Sequence, residues 1–175
     1  AGRGGADAND PTGAGRRDTR RFSLPSDCYG YCAVKCVLRA NMRKLKHAER
    51  VMNEKRALTA LRGRPFFVEL LGTFTDDASL YFVLQYGVGG ELFQRMRSLG
   101  RLPLQHALFY MAEVLCALAH MHDAGMMYRD CKPENVLIDH AGHLMLCDFG
   151  FSHWPKGGKD GMCYSQIGTP QYLAP

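Results

Sequence analysis

The chain has 175 residues, of which 46% are hydrophobic and 22% charged, the composition of an ordinary globular domain and not of a disordered or collagen-like chain. Lys plus Arg number 22 against 17 Asp plus Glu, a net charge of +5, which is too mild to call for nucleic acid as a partner. The longest nearly apolar run, 13 residues from Ala107 to Ala119 with Glu113 inside it, is too short to cross a bilayer. The Gly- and Arg-rich start carries no secretory leader pattern. Seven cysteines without a C-x-x-C spacing read as scattered thiols of a reducing compartment, cytoplasmic or nuclear. Cys28, Cys32 and Cys36 recur every four residues, but no His pair follows at zinc-finger spacing.

Residues 1–21 hold five Gly, five Arg and three Asp and read as a flexible arm. Tyr31 to Leu38 then reads as a strand with Lys35 in its middle. Residues 41–61 read as a helix whose apolar stripe is Val51, Leu58 and Leu61. Glu54 falls on that stripe, and a carboxylate on a buried face needs a partner. Arg50, Lys55 or a Lys on the adjacent strand could serve. Phe67 to Phe74 and Leu80 to Tyr86 read as two strands around a turn at Thr75 to Ala78. Gly87-Val-Gly-Gly90 reads as a linker between lobes. Leu104 to His122 is the longest helical pattern, with Leu108, Met111, Leu115, Leu118 and His122 on one face and Gly125 as its stop.

The stretch Tyr128-Arg-Asp-Cys-Lys-Pro-Glu-Asn135 leads into two short apolar runs, Val136 to Ile138 and Leu144 to Cys147, around a four-residue turn, and then into Asp148-Phe-Gly150. Such a pattern predicts a β-hairpin. Its open end brings Asn135 and Asp148 together, a pair of oxygen donors suited to Mg²⁺. Asp130 stands five residues before Asn135, with Lys132 beside it. An acid, a lysine and a metal pair at one place are the equipment for phosphoryl transfer.

This stretch resembles the catalytic loop and Asp-Phe-Gly motif of eukaryotic protein kinases. Ala33-Val34-Lys35 is similar to the strand whose Lys contacts nucleotide phosphates. Met52 to Arg56 is similar to the helix whose Glu pairs with it. Gly168-Thr-Pro-Gln-Tyr-Leu-Ala-Pro175 resembles the end of the activation segment. Tyr128, Asn53-Glu-Lys-Arg56, Gly89-Gly-Glu-Leu92 and Asp148-Phe-Gly-Phe151 together resemble the cyclic-nucleotide-dependent kinases of the AGC group. Lys132-Pro-Glu-Asn135 is the Ser/Thr form of the loop.

The resemblance implies an α+β, two-lobed fold. A small β-rich lobe over 22–86 and a hinge over 87–91 would be followed by part of a helical lobe over 92–175. It implies ATP bound at the hinge, with Leu84 as gatekeeper and Glu91 facing the ribose or a basic substrate residue. Lys35, fixed by Glu54, would contact the phosphates, and Asn135 and Asp148 would hold Mg²⁺. Asp130 would orient the substrate hydroxyl and accept its proton, while Lys132 would neutralise the transferring phosphoryl group. Leu58, Leu70, Tyr128 and Phe149 would stack as a column joining the lobes. Glu134 would face a basic residue before the phosphoacceptor, so protein substrates with Arg or Lys upstream of the target are expected. Any regulatory subunit or domain would lie elsewhere.

Two departures stand out. The phosphate-loop position offers Gly13 and Gly15, but Asp18 replaces the third glycine and Arg20 the valine. The chain also reaches Ala-Pro175 without the Glu that completes the family motif. A fragment lacking the helices beyond it is expected to be inactive. The damaged glycine loop keeps a second reading open, a pseudokinase-like nucleotide-binding or scaffold protein; a small-molecule kinase would not need Gly168-Thr169-Pro170. Ser165 lies where AGC kinases carry an activating phosphate, with Arg129 and Arg50 as its expected receivers and Thr169 in the same regulatory segment.

Overall fold

The structure is a computed structural model that describes residues 30–157, 161, 163 and 167–173. Gly13, Gly15 and Ser165 lie outside the described residues. The fold is α+β. β1 (Cys32–Leu38), β2 (Leu70–Thr75) and β3 (Ser79–Gln85) form an antiparallel sheet in the order β1-β3-β2. Asp76 shapes the β2–β3 turn by accepting hydrogen bonds from the Ala78 and Ser79 N–H groups at 2.8 and 2.7 Å, an Asx turn. The expected strand at Phe67 begins three residues late. Val68 donates its N–H to the Leu146 carbonyl, and Phe67 bridges to Leu146 in parallel, so these two residues are drawn out of the first sheet.

α1 (Leu45–Ala60) buries Val51, Glu54, Ala57 and Leu58, and Leu61 just beyond it is buried too. The helix expected from residue 41 starts later, because Arg39–Arg43 form a 3₁₀ turn and Lys44 is extended. The first turn of α1 has no acidic residue and no side-chain cap, so neither the helix dipole nor a cap favours extending it N-terminally.

The expected linker at Gly87–Gly90 is partly structured. β4 (Gly90–Glu91), β5 (Val136–Ile138) and β6 (Leu144–Leu146) form a second antiparallel sheet. Gly89 lies so close to it that a Cβ there would come within 2.7 Å of the Ile138 Cβ. α2 (Leu92–Leu99), which the sequence reading did not separate, buries Leu92 and stops at Gly100 with φ +73°.

α3 (Leu104–Asp123) corrects the expected face. It buries Tyr110, Glu113, Val114, Ala117 and Met121, while Leu108, Met111 and Leu115 are more than half exposed. The β5–β6 hairpin packs on the first set and holds Glu113 inward, so an internal carboxylate, not the leucine stripe, marks the buried side. No helix among the described residues is long and apolar enough to cross a membrane.

Candidate active site

The catalytic-loop segment enters the site from β-bridged Met127 and leaves through a 3₁₀ turn at Pro133–Asn135. Arg129 takes φ +69° and Asp148 φ +53°. Such left-handed backbone in non-glycine residues is costly and gathers at sites where neighbours enforce it. The Asp130 side chain is 1% exposed. Its carboxylate accepts hydrogen bonds from Thr169 Oγ1 at 2.7 Å and Asn135 Nδ2 at 2.8 Å, and pairs with Lys132 Nζ at 2.9 Å. Burial alone would raise its pKa, but these bonds outweigh it and hold the carboxyl below the usual range. Lys132 Nζ also donates to Thr169 Oγ1 at 2.9 Å. Thr169, expected among regulatory residues, is thus a direct partner of Asp130. Gly168 makes that approach feasible: at φ +131°, a Cβ would meet the Arg129 carbonyl oxygen at 2.8 Å.

The second group spans β1, α1 and the end of β6. Lys35 Nζ donates to both carboxylate oxygens of Glu54 at 2.7 and 2.8 Å and lies 3.8 Å from Asp148 Oδ1. Of the partners weighed for Glu54, the strand lysine is the one it meets. Burial would lower the Lys35 pKa, but the Glu54 charge and hydrogen bonds, with Asp148 behind them, raise it above its ordinary value. The ammonium is therefore fixed, on a side chain that is 40% exposed and open to an anionic ligand. Asp148 is half exposed, and its Oδ1 also accepts from the Gly150 N–H at 3.3 Å. Cys147 donates its N–H to the Asn135 carbonyl at 3.0 Å, which ties the residues flanking the hairpin at its open end. Asn135 spends its amide nitrogen on Asp130, leaving its amide oxygen as the remaining donor atom. These oxygen donors fit a hard divalent cation.

Leu84 sits on β3 opposite Ala33 and Leu70, and Glu91 pairs with Leu137 on the second sheet, its side chain exposed. Leu58, Tyr128 and Phe149 are buried, Leu70 is half-buried against them, and the Tyr128 and Phe149 rings lie 5.5 Å apart. Arg129 donates from Nε to the Phe151 carbonyl at 2.7 Å and reaches Cys163 Sγ at 3.1 Å. The Arg50 guanidinium lies over the Phe151 ring at 4.5 Å. The two arginines therefore converge on Phe151. Sequence reasoning did not anticipate Cys163 beside Arg129, Trp154 beneath Arg56, or the Glu113–His143 pair. Only the last had a signal, a carboxylate inside an apolar helical run.

The chain matches the protein kinase domain family over residues 26–175 and belongs to that family. It is 40% identical over 145 residues to the cAMP-dependent protein kinase catalytic subunit 3 of Drosophila melanogaster, covering 83% of this chain and 24% of that protein. It is 39% identical over 145 residues to the human cAMP-dependent protein kinase catalytic subunit PRKX, covering 83% of this chain and 39% of the relative. For the cAMP-dependent protein kinase type 3 of Saccharomyces cerevisiae the identity is 39%, over 83% of this chain and 35% of the relative. The chain thus spans about a quarter to two fifths of the length of these curated relatives.

Proposed function

We propose that this chain carries the ATP-binding and phosphotransfer core of a Ser/Thr protein kinase of the cyclic-nucleotide-dependent type, active as part of its whole protein. The observation that carries this reading is the buried Asp130 carboxylate, held by Thr169, Asn135 and Lys132 at 2.7 to 2.9 Å, together with the Lys35–Glu54–Asp148 group. Lys35 would bind phosphate oxygens of ATP from a position Glu54 has fixed in advance, which is the preorganisation electrostatic catalysis needs. Asp130 would accept a hydrogen bond from the substrate hydroxyl and aim its oxygen at the γ-phosphoryl group. With a depressed pKa it is a weak base, so orientation comes first and proton transfer late, as a loose transition state allows. Lys132 stands where it can balance charge on the transferring group. Asn135 and Asp148 would hold Mg²⁺, which when bound neutralises phosphate charge.

Glu134 supports a basic residue in the protein substrate, because its Oε2 is buried without a hydrogen-bond partner among the described residues. An arginine fork from a peptide would satisfy it. The domain limits proposed are an arm over 1–21, a small lobe over 22–86, a hinge over 87–91 and the partial large lobe over 92–175. Cys32, Cys36, Cys116, Cys131 and Cys147 are free thiols, which suits the cytoplasm or nucleus.

Thermal melting of the full-length protein tests the reading. ATP should stabilise it more with Mg²⁺ than with EDTA, and Asp148→Ala should abolish the difference. Equal stabilisation of the wild-type protein in EDTA would refute the assignment.

A further inference from the structure

The segment that follows Asp148-Phe149-Gly150 is held on two sides. On one side, His153 exchanges backbone hydrogen bonds with Met127 at 2.8 and 3.0 Å, which ties it to the entrance of the catalytic loop. On the other side it faces α1. The Arg50 guanidinium carbon lies 4.5 Å from the Phe151 ring centroid, and that of Arg56 lies 4.0 Å from the Trp154 centroid. Glu54, the partner of Lys35, stands between these two arginines. Trp154 itself is partly buried and packs against the core.

α1 needs such support. It has no capping side chain and no acid in its first turn, and helices of this length depend on tertiary contacts for their position. The Lys35–Glu54 bond has little slack. At 2.7 Å it lies at the short end of the hydrogen-bond range, and a shift of about 1 Å would carry it out of that range. Lys35 is 40% exposed, so water would enter the gap. A guanidinium stacked on an indole face is an anchor that lysine reproduces only in charge, not in planar stacking.

We propose that Trp154 is a positioning residue: stacked under Arg56, it holds α1 where Glu54 reaches Lys35. The inference rests on the kinase reading above for its rate effect, but not for its effect on α1. The metal-binding Asp148 and the helix that carries Glu54 are then braced through one short segment, Phe151 to Trp154.

The test is peptide phosphorylation by the full-length protein with Mg²⁺-ATP, combined with amide hydrogen exchange over residues 45–60. Arg56 is exposed, so Arg56→Gln should leave folding intact. It should lower kcat/KM about two- to fivefold, the range expected for a partly exposed cation–π contact, and speed exchange in α1. Trp154→Ala should do the same, and the conservative Arg56→Lys and Trp154→Phe should each show only part of both losses. In a Glu54→Gln background, where the pairing with Lys35 is already weakened, Arg56→Gln should lower the rate no further. Should Trp154→Ala fold poorly, the Arg56 series carries the test alone. Wild-type rate and exchange in Arg56→Gln would overturn the proposal, and so would an equal rate loss with and without Glu54→Gln. If Asp148→Ala leaves phosphotransfer intact, the kinase reading has failed, and the exchange data still decide whether Trp154 holds α1.

Discussion

Thr169→Val removes one hydroxyl and keeps the shape of the side chain. In the structure that hydroxyl donates to Asp130 Oδ1 at 2.7 Å and accepts from Lys132 Nζ at 2.9 Å. Asp130 retains Asn135 and Lys132 on Oδ2, but Oδ1 loses the donor described for it. A hydrogen bond to a charged group contributes about 1.5–3 kcal/mol. With the Asp130 side chain 1% exposed and valine filling the same volume, water can recover little of this. At about 1.4 kcal/mol per tenfold, phosphotransfer by the full-length protein should fall roughly tenfold to a hundredfold. The pH profile gives a second reading. Asp130 has a depressed folded-state pKa, so its ionised form stabilises the fold above the ordinary carboxylate pKa, and that stabilisation is lost as pH falls through the depressed value. Losing the Thr169 bond raises the pKa toward normal, and the acid limb of the rate profile should move to higher pH. Thr169→Ser should restore both rate and limb. A Thr169→Val enzyme with wild-type rate and an unmoved acid limb would refute the reasoning.

Ser152 is fully buried, and its Oγ has no partner among the described residues. Ser152→Ala should therefore stabilise the fold by about 1 kcal/mol, the desolvation cost of an unpaired hydroxyl less a small void, and raise Tm by about 2–4 °C; a drop of similar size would contradict this. The Glu113 carboxylate beside His143 raises the imidazole pKa, and Glu113 also accepts the Leu144 N–H at 2.8 Å. The protonated pair stabilises the fold fully below the ordinary histidine pKa, and this gain is lost as pH rises through the raised value. The Tm difference between wild type and His143→Gln should accordingly be larger near pH 6 than near pH 8, though modest because His143 is half exposed. A difference independent of pH would remove His143 from the account.

Much of this protein is legible in the chain because the relevant signals are local. The hairpin from Val136 to Leu146 follows from two apolar runs around a turn, and it alone places Asn135 and Asp148 at one end. The stripe Val51, Leu58 and Leu61 announces α1, and Glu54 on that stripe announces a buried partner before the partner is known. Other features are absent from any local pattern. Leu108, Met111 and Leu115 have helical periodicity, yet which side of α3 is buried depends on where the β5–β6 hairpin lies. Periodicity reports that a face exists, not what covers it. Thr169 reaches Asp130 across 39 residues, a meeting that depends on the left-handed backbone at Arg129 and the missing Cβ of Gly168. No motif links Arg56 to Trp154, and only folding sets a guanidinium over that indole. Local spacing determines which groups the chain can bring to a site. The tertiary structure decides which of them touch, because a hydrogen bond or a cation–π contact is won or lost over about 1 Å, far finer than any periodicity resolves.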